Sequence, residues 1–321
     1  MKAIRVHECG GPEVLQPEEL PVPKPADDEI VVQQEAIGVN YIDIYHRTGL
    51  YPLSLPYTPG QEGAGKVVDK GAKVSDLAVG DRVAYLAPGT YAEYVAVPAA
   101  KAVRVPAGLA ARIAAALMLQ GMTAHYLTKT TYPLKEGSTC LVHAAAGGVG
   151  LLLVQLAKMA GARVYATVST EEKARLAREA GADFIVLYTQ QDFEQKIMND
   201  TNGRGVDVVY DSVGRTTFDK SLNCLKPLGY MVLFGQSSGK VEKIDPSILA
   251  AKGSLFLTRT TLFNYIAERR QLESRVNDLF AWVESGKLKV RIGQEFSLEQ
   301  AATAHEQLEG RKTTGKVLLI P

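Results

Sequence analysis

The sequence predicts an α/β protein that combines a doubly wound parallel sheet with a β-rich domain. Two observations support this prediction, one for each side of a change in sequence pattern near residue 125. Before that point, short β-branched runs such as EIVVQQEAIGV and YAEYVAVP alternate with Pro and Gly, as is typical of β-rich domains. Beyond it, apolar runs alternate with helical patterns, and repeated β-α-β units form open sheets covered by helices.

Six apolar runs after residue 125 are the candidate strands of the parallel sheet. Each is nearly continuous in apolar residues, as a strand requires when helices cover both faces of its sheet. Between them, TEEKARLAREAG has a possible cap at Ser169 or Thr170, acids in its first turn and a stop at Gly181, which indicates a helix. The six runs are TCLVHAA, ARVYATV, DFIVLY, VDVVYDSV, YMVLFG and SLFLTRT.

The last part of the chain changes pattern again. Apolar residues recur at helical spacing in RRQLESRVNDLFAWVESGK, so one face of this helix is expected to pack inward. These residues are Leu272, Val276, Leu279, Phe280 and Val283. A second helix, SLEQAATAHEQLEG, and a final strand, GKVLLIP, follow. We expect the strand to return to the first domain, so the predicted bounds are 1–123, 124–262 and a returning segment, 263–321.

Composition excludes several classes of protein. With 36 basic and 35 acidic residues the net charge is only +1, so no global field attracts nucleic acid or an anionic membrane, although a local patch stays open. No apolar run reaches the roughly 18 residues of a membrane span, and MKAIRVHECG lacks the apolar stretch of a signal peptide. Cys9, Cys140 and Cys224 lie too far apart in sequence for a CxxC pair or a disulfide framework. A reducing cytoplasm is the expected location.

A glycine turn in HAAAGGVG is the strongest functional signal. It reads Ala145-x-Gly147-x-x-Gly150, with a strand before it, a helix after it and a second strand beyond. Glycines let the backbone approach a pyrophosphate, and the N-terminus of the following helix favours the phosphate charge. A tight turn without a ligand is the alternative, but the strand–turn–helix context favours a dinucleotide.

The end of the second strand bears on which dinucleotide is bound. Acidic residues there hold the ribose hydroxyls of NAD, whereas NADP sites replace them with a cation. The strand ends in TVST, and Lys173 follows, which favours a 2′-phosphate and hence NADPH. Glu171 and Glu172 are ambiguous because acids also fill the first turn of a helix, and Lys173 is equally compatible with a solvated helix position.

The segment PYTPGQEGAGKVVDKGAKVSDLAVGDRV, with YAEYVAVP and AAAGGVG, resembles the medium-chain dehydrogenase/reductase superfamily. The resemblance implies a GroES-like N-terminal domain and a Rossmann domain. Zinc enzymes of that superfamily carry Gly-His-Glu where this chain has Gly60-Gln61-Glu62, and Asn40 and its neighbours stand where a cysteine ligand is expected.

These departures predict that no metal is bound. The four closely spaced cysteines of a structural zinc are also absent, and a zinc site of N and S ligands cannot be assembled from these segments. The histidines have no mutual ligand spacing, and each is expected at the surface or at the edge of the core. They are His7, His46, His125, His143 and His305.

In more detail, the chain resembles the zinc-free quinone oxidoreductase (zeta-crystallin-like) family. The shared motifs are GGPEVLQ, GVNYIDIYHRTGLYP, LQGMTAHYL, VYDSVG, FGQSSG and HEQLEGRKTTGKVLLIP. The resemblance implies an NADPH-dependent, zinc-independent quinone reductase. It also implies a homodimer that pairs sheet edges, for which GSLFLTRTTLF is a candidate, although a buried strand within one chain explains the same letters.

The resemblance implies a role for individual residues. Asn40 and Tyr51 would lie near the nicotinamide and the substrate, as catalytic and cofactor-binding residues, and would orient and polarise the substrate. The other implied cofactor residues are Thr123; Gly147, Gly148, Val149 and Gly150 at the pyrophosphate; Ser169, Lys173, Tyr188 and Arg311 at the 2′-phosphate; and Phe234, Gly235 and Ser237 at the nicotinamide. From the residues alone, Tyr188 ends the third predicted strand, and Ser212 follows the fourth, where ligands bind in such sheets. Tyr51 packed within its proline-rich loop and Arg311 in a surface pair with Lys312 remain alternatives.

Three functions remain open. Hydride transfer to a quinone puts charge on an oxygen, and the site must align the rings, exclude water and donate a hydrogen bond. A quinol is acidic enough that a strong side-chain acid is not essential, and the motif segments contain no Ser-His-Asp grouping and no paired carboxylates. An enone or alkenal C=C reductase of the same superfamily, which would need a proton donor for carbon, is the first alternative. The second is a nucleotide-bound structural or RNA-binding protein, although the chain lacks a basic stripe and an RNP-like aromatic motif.

Overall fold

The computed structural model describes residues 1–321 and confirms the predicted α/β class. The chain divides into two compact units. Unit 1 comprises Met1–Met122 and Ile266–Pro321, and unit 2 comprises Thr123–Tyr265.

Fifteen strands run along the chain. They are β1 (Lys2–Arg5), β2 (Gln16–Glu19), β3 (Glu29–Val39), β4 (Glu62–Lys70), β5 (Arg82–Leu86), β6 (Tyr94–Pro98), β7 (Ala102–Arg104), β8 (Thr139–Val142), β9 (Arg163–Val168), β10 (Phe184–Leu187), β11 (Val206–Asp211), β12 (Leu225–Leu233), β13 (Phe256–Arg259), β14 (Ile292–Ser297) and β15 (Lys316–Ile320).

Eleven α-helices connect or cover these strands. They are α1 (Tyr41–Arg47), α2 (Ala111–Met118), α3 (Gln120–Tyr126), α4 (Gly148–Met159), α5 (Glu171–Glu179), α6 (Phe193–Asp200), α7 (Phe218–Asn223), α8 (Ser247–Ala251), α9 (Leu262–Tyr265), α10 (Arg269–Glu284) and α11 (Ala301–Glu309). Short 3₁₀ turns and one π-helical turn, Leu127–Thr131, complete the elements.

Unit 2 is a six-stranded sheet in the order β10-β9-β8-β11-β12-β13, and every neighbouring pair is parallel. Counted from β8, this is the 3-2-1-4-5-6 order of a Rossmann fold. The central strands β8, β9 and β11 are mostly buried because helices cover the sheet, which explains their nearly continuous apolar sequences, whereas the edge strand β13 is partly exposed. The strand order reverses between β8 and β11, and ligands bind such sheets outside the carboxyl ends of the strands at that point.

Unit 1 contains a seven-stranded, mostly antiparallel sheet in which β15 pairs with β3. The register places Val317 opposite Val39 and Leu318 opposite Gly38, so the C-terminal segment adds strands to the sheet of the N-terminal one. β14 then pairs parallel with β15 at the sheet's edge. This pairing brings Lys316, at the start of β15, to the end of β3.

The helices follow the sequence signals. The Thr170 hydroxyl accepts a hydrogen bond from the Lys173 backbone N–H at 3.3 Å, which caps α5 as expected. Helix α10 buries Leu272, Val276, Leu279 and Phe280, whereas Val283 is partly exposed at the end of the helix. None of the helices combines the length and the apolar content that crossing a membrane requires.

The expectation for the histidines was wrong for three of the five. His125, His143 and His305 are 5%, 2% and 0% exposed. Hydrogen bonds to other parts of the chain compensate the burial of His143 and His305, and sequence spacing does not reveal those partners.

Candidate functional site

The glycine turn of unit 2 leads directly from β8 into α4. Ala144 has a positive φ of 50°, which is strained for a residue with a side chain, and the Gly147 N–H donates to the Ala144 carbonyl at 2.9 Å. A Cβ at Gly150 would lie 2.4 Å from the Ala144 oxygen, so only glycine lets α4 approach the turn this closely. The predicted turn is therefore present, with its third glycine at the point of closest backbone contact.

The N-terminus of α4 offers backbone donors to an anion. Gly147 is the cap residue and has no side chain to accept from the first N–H groups, and the first turn contains no acidic residue. Uncapped N–H groups at a helix start carry partial positive charge and suit a phosphate.

Ser169 and Tyr188 lie close together at the ends of β9 and β10, and Lys173 lies in the first turn of α5, which follows β9. The Tyr188 N–H donates to the Val168 carbonyl at 3.1 Å, and the Thr189 hydroxyl donates to the Ser169 carbonyl at 3.1 Å. The side chain of Tyr188 is 39% exposed. Residues with hydroxyl groups thus meet at the edge where a 2′-phosphate is expected, and the helix that carries Lys173 starts just after it.

The two glutamates near this edge have a helical role. Glu171 and Glu172 are exposed in the first turn of α5, where negative charge favours the helix. Glu171 lies 3.9 Å from Arg178 further along the same helix. No carboxylate ends strand β9 itself, whose last residues are Thr167 and Val168.

The loops after β11 and β12 lie against each other, and the fully buried Asp211, at the end of β11, orders the first of them. One carboxylate oxygen of Asp211 accepts from the backbone N–H groups of Val213 and Gly214, at 2.7 and 3.0 Å. A Cβ at Gly235 would lie 2.6 Å from the Ser212 carbonyl oxygen, and the Ser237 N–H donates to that oxygen at 3.1 Å. The structure therefore brings the predicted residues of the two loops together.

His143, the residue that follows β8, supports this edge. Its Nδ1 lies 2.9 Å from the Thr167 hydroxyl and its Nε2 2.9 Å from the Ser221 hydroxyl. Burial lowers the pKa of His143, opposed by the charge of Asp211, so the imidazole is neutral at pH 7. A neutral, buried histidine that ties three elements together is a structural residue.

In unit 1, Asn40 is 2% exposed at the start of α1. Its Nδ2 donates to Glu62 Oε1 at 2.6 Å and weakly to the Gly38 carbonyl at 3.4 Å. Its Oδ1 accepts from Gln120 Nε2 at 3.0 Å and from Lys316 Nζ at 2.9 Å. Both donor and both acceptor positions of the amide are occupied by protein groups.

A second buried chain of hydrogen bonds starts from Asp43, in the first turn of α1. Asp43 Oδ2 accepts from the Asn40 N–H at 2.8 Å and from the Tyr91 hydroxyl at 3.0 Å. Tyr91 in turn meets His305 Nε2 at 3.0 Å, and His305 Nδ1 faces Arg47 at 3.2 Å. Since Arg47 only donates, Nδ1 accepts and Nε2 carries the proton, so each bond in the chain has one direction.

Burial shifts the pKa values of two groups in this chain of hydrogen bonds in opposite directions. It raises the pKa of Asp43 to about 7, against the hydrogen bonds from Asn40 and Tyr91. It lowers the pKa of His305 to about 3, helped by the charge of Arg47. At neutral pH the histidine is therefore uncharged, and Asp43 is near its midpoint.

Tyr51 and Arg311 also belong to unit 1. The Tyr51 N–H donates to the Tyr45 carbonyl at 2.9 Å, and its ring packs edge-on against the Tyr45 ring at a centroid distance of 5.1 Å. The centroid of the His46 imidazole lies 6.2 Å from that of the Tyr51 ring. Arg311 is exposed after α11 and has a positive φ of 56°.

The predicted site residues thus fall into two groups. Those at the carboxyl ends of the unit 2 strands are brought together along one edge: Gly147, Gly148, Val149, Gly150, Ser169, Lys173, Tyr188, Ser212, Phe234, Gly235 and Ser237. Thr123 also belongs to unit 2 and is 6% exposed within α3. Asn40, Tyr51 and Arg311 belong to unit 1.

Sequence reasoning missed the residues that hold Asn40. Glu62 was noted only as part of a motif, and Gln120 and Lys316 were not singled out. The lysine at the start of the otherwise apolar strand GKVLLIP is a sequence signal for such a group, because a buried lysine needs a hydrogen-bonding or charged partner. Throughout the chain, no group of three or more His, Cys, Asp or Glu side chains is arranged to hold a metal ion.

Comparison with known proteins defines the family. Residues 26–107 match the alcohol dehydrogenase GroES-like domain, and residues 148–281 match the family model described as zinc-binding dehydrogenase. Quinone oxidoreductase 1 of Escherichia coli is 46% identical to this chain, with 99% of both chains covered. The chain belongs to the quinone oxidoreductase family. Its membership also confirms the predicted Rossmann and GroES-like domains.

Two further relatives bear on function. The crystal structure of the Escherichia coli quinone oxidoreductase complexed with NADPH matches with a TM-score of 0.98 and 45% identity, over all of both chains. A 2-haloacrylate reductase of Burkholderia sp. is 41% identical over 99% of this chain and 98% of its own length. The family therefore includes enzymes named for different acceptors.

Proposed function

We propose that this protein is an NADPH-dependent quinone reductase. The observation that carries the proposal is the likeness, over the full length of both chains, to a quinone oxidoreductase bound to NADPH. The local geometry supports it, because the glycine turn, the uncapped helix start and the hydroxyl-rich strand end all suit a phosphorylated dinucleotide.

The residues present fit NADPH. Gly147, Gly148, Val149 and Gly150 would hold the pyrophosphate, and Ser169, Lys173, Tyr188 and Arg311 would surround the 2′-phosphate. The remaining contacts would come from Asn40, Tyr51, Thr123, Ser212, Phe234, Gly235 and Ser237. When bound, NADPH supplies a hydride to the acceptor.

The protein's part in the reaction is binding, orientation and exclusion of water. Tyr51 carries a hydroxyl on a ring fixed by Tyr45, which suits it to orient a planar acceptor and to donate a hydrogen bond to its oxygen. A quinol needs no strong side-chain acid, so alignment is the main requirement. Asn40 keeps its proposed orienting role, and its amide hydrogen bonds all go to protein groups.

We propose that the reaction needs no metal, although the matching family model is described as zinc-binding dehydrogenase. The argument comes from the donor set: Gln61 and Asn40 are amides at positions where zinc enzymes of the superfamily are expected to have histidine and cysteine. Metal analysis of the purified protein, together with activity after chelation, tests this. Stoichiometric zinc whose removal abolishes turnover would overturn it.

A steady-state panel tests the function. Rates with 1,4-benzoquinone, 1,2-naphthoquinone and an alkenal, each with NADPH and with NADH, are expected to be highest for a quinone with NADPH. Tyr51→Ala is expected to weaken use of the quinone or of NADPH while the unfolding transition is kept. Equal efficiency with both cofactors would contradict the NADPH preference, and unchanged kinetics would remove Tyr51 from the site.

A C=C reductase is the second candidate, because a 2-haloacrylate reductase is 41% identical over nearly the whole chain. That reaction delivers hydride and a proton to carbon, and it would need a proton donor beside the substrate. A higher rate with the alkenal or a 2-haloacrylate than with any quinone would favour this candidate.

We also propose a cytoplasmic homodimer. Strand β13 ends the sheet of unit 2, and Phe256 on it is 48% exposed, so an open edge with an apolar side chain is available for pairing. Cys140 and Cys224 are buried free thiols and Cys9 an exposed one, which suits a reducing compartment. Light scattering and cell fractionation test these two points, and a monomer at micromolar concentration would contradict the first.

A further inference from the structure

Lys316 is buried in unit 1 with all three of its ammonium hydrogens engaged. Its side chain is 2% exposed, and Nζ donates to Asn40 Oδ1 at 2.9 Å, to the Val39 carbonyl at 3.3 Å and to Glu62 Oε1. Glu62 is 0% exposed, and its second oxygen accepts from the Leu119 N–H at 2.5 Å. The two charges form an ion pair that is closed to solvent.

This ion pair fixes the orientation of the Asn40 amide. Lys316 can only donate, so the Asn40 atom that faces it must be the oxygen. Glu62 accepts, so the atom that faces it must be the NH₂ group. The amide cannot rotate to present its NH₂ to a substrate oxygen without breaking a charged hydrogen bond on each side.

The same group of contacts sets the start of α1. Lys316 holds the Val39 carbonyl and Asp43 holds the Asn40 N–H, so the last residue of β3 and the residue that follows it are fixed from two sides. Helix α1 then carries Tyr45, against which Tyr51 packs. A contiguous path of contacts leads from Lys316 through Asn40 and α1 to Tyr51.

We propose that Lys316, paired with Glu62, is a positioning residue that acts through Asn40 and α1 to place Tyr51 for the reaction. Asn40 is then a support rather than the hydrogen-bond donor to the substrate. A buried ion pair is a poor source of stability compared with an apolar pair of the same volume, but it is directional, and direction is what a fixed amide requires. This inference rests on the proposed function.

The test uses Lys316→Ala, which leaves room for a small amine, and exogenous n-propylammonium. Without the amine, kcat/KM for 1,4-benzoquinone is expected to fall by about tenfold to 100-fold, the effect of a small displacement of reacting groups, while unfolding in urea stays cooperative. Saturating n-propylammonium is expected to raise both the Tm and kcat, and n-propanol, which has the same carbon chain without the charge, is not. Lys24→Ala, at an exposed lysine, is the matched control and is expected to respond to neither.

Two further variants keep the inference testable if Lys316→Ala does not fold. Lys316→Met with Glu62→Gln removes both charges and leaves no uncompensated carboxylate; it is expected to unfold cooperatively near the wild-type Tm but to turn over quinone more slowly. Lys316→Met alone fills the space and is expected to gain nothing from the amine.

The inference is overturned if a folded variant without the Lys316 charge keeps the wild-type kcat/KM, or if n-propanol restores Lys316→Ala as well as the amine does. Loss of cooperative unfolding in parallel with loss of turnover would also overturn it, since that indicates general loss of structure. The unfolding measurements need no substrate. Wild-type protein that reduces no quinone while the amine still restores the Tm of Lys316→Ala would therefore count against the proposed function and not against the ammonium site.

Discussion

The two regions that carry the candidate chemistry are built in opposite ways. In unit 2, the turn from Ala144 to Gly150 presents backbone groups, and its defining feature is a side chain that is missing. In unit 1, Asn40 lies in a group of charged and amide side chains whose hydrogen bonds are directed at one another. The first region leaves N–H groups open at the helix start, and the second uses both donor and both acceptor positions of its central amide.

The difference shows which changes each region tolerates. A site made of backbone keeps its function through most side-chain substitutions but fails when a Cβ is added at a point of close contact. A site made of buried side chains depends on charge and on hydrogen-bond direction, since one unpaired group within it loses its solvation without compensation. The predictions below exploit this contrast.

Gly150→Ala should have the largest effect. The new Cβ would lie 2.4 Å from the Ala144 oxygen and 2.7 Å from the Ala145 Cα, and both are backbone atoms that cannot move without moving the turn. We expect NADPH affinity, measured by fluorescence titration, to fall by about 100-fold or more, as a displacement near 1 Å can cause. Gly108→Ala is the control because its Cβ would meet only Glu284 Oε1, at 3.8 Å. Unchanged NADPH affinity in Gly150→Ala would show that the close backbone contact at this glycine does not determine cofactor binding.

Gly38→Ala carries the same chemical change into the second region. Its Cβ would lie 2.2 Å from Glu62 Oε1, so the carboxylate must leave its place beside Asn40 and Lys316. We expect the free energy of unfolding in urea to fall by about 1–3 kcal/mol, the usual cost of overfilling a packed site, with NADPH affinity less affected than in Gly150→Ala. A variant as stable as the wild type would show that Glu62 can move freely, contrary to the geometry.

The sequence predicted most of unit 2 because its signals are local. Gly147 and Gly150 lie within a few residues of the strand and helix that they connect, and the near-continuous apolar strands indicated the parallel sheet. The cap at Thr170 and the stop at Gly181 likewise lie next to the helix they bound. Patterns of this kind can be recognised without knowing which distant segments of the chain pack against them.

The group around Asn40 was beyond sequence reasoning because its members come from distant segments. Asn40, Glu62, Gln120 and Lys316 span 276 residues, and only the pairing of β15 with β3 brings the last to the first. The same holds for His305, expected at the surface or core edge but buried against Tyr91 and Arg47. Family resemblance pointed to Asn40 as a site residue, but not to the partners that fix its amide.

Lys173→Ala should have a smaller effect, confined to one cofactor. If the Lys173 ammonium meets the 2′-phosphate, its loss should weaken NADPH binding by about tenfold, or about 1.4 kcal/mol, and leave NADH binding unchanged. Arg175→Ala removes a cation from the same helix, where Arg175 pairs with Glu179, and should change neither. Equal losses for NADPH and NADH would indicate a structural role for Lys173 and would weaken the proposed phosphate site.

Asp43→Asn should be visible chiefly as a pH dependence of the stability of unit 1. Burial raises the pKa of Asp43 from 3.8 to about 7, so between these values the native state holds a proton that the unfolded chain releases. The contribution of Asp43 to stability is therefore present at low pH and lost as the pH rises towards 7. His305 has the opposite sign: burial lowers its pKa from 6.5 to about 3, so its contribution is lost as the pH falls through that window.

Urea unfolding of wild type and Asp43→Asn from about pH 5 to about pH 8 separates the two slopes. Relative to wild type, the variant should gain stability as the pH rises, by at most about 1.4 kcal/mol per pH unit, and it should retain the acid-side loss that His305 causes. Asp69→Asn, at an exposed aspartate, should run parallel to wild type at every pH. If Asp43→Asn also runs parallel, Asp43 is solvated as an ordinary carboxylate, and the group around Asn40 is more open to water than its burial indicates. Stability curves that diverge with pH would instead show that the stability of this region of unit 1 depends on charge. The glycine turn of unit 2, from Ala144 to Gly150, contains no ionisable group and cannot respond in this way.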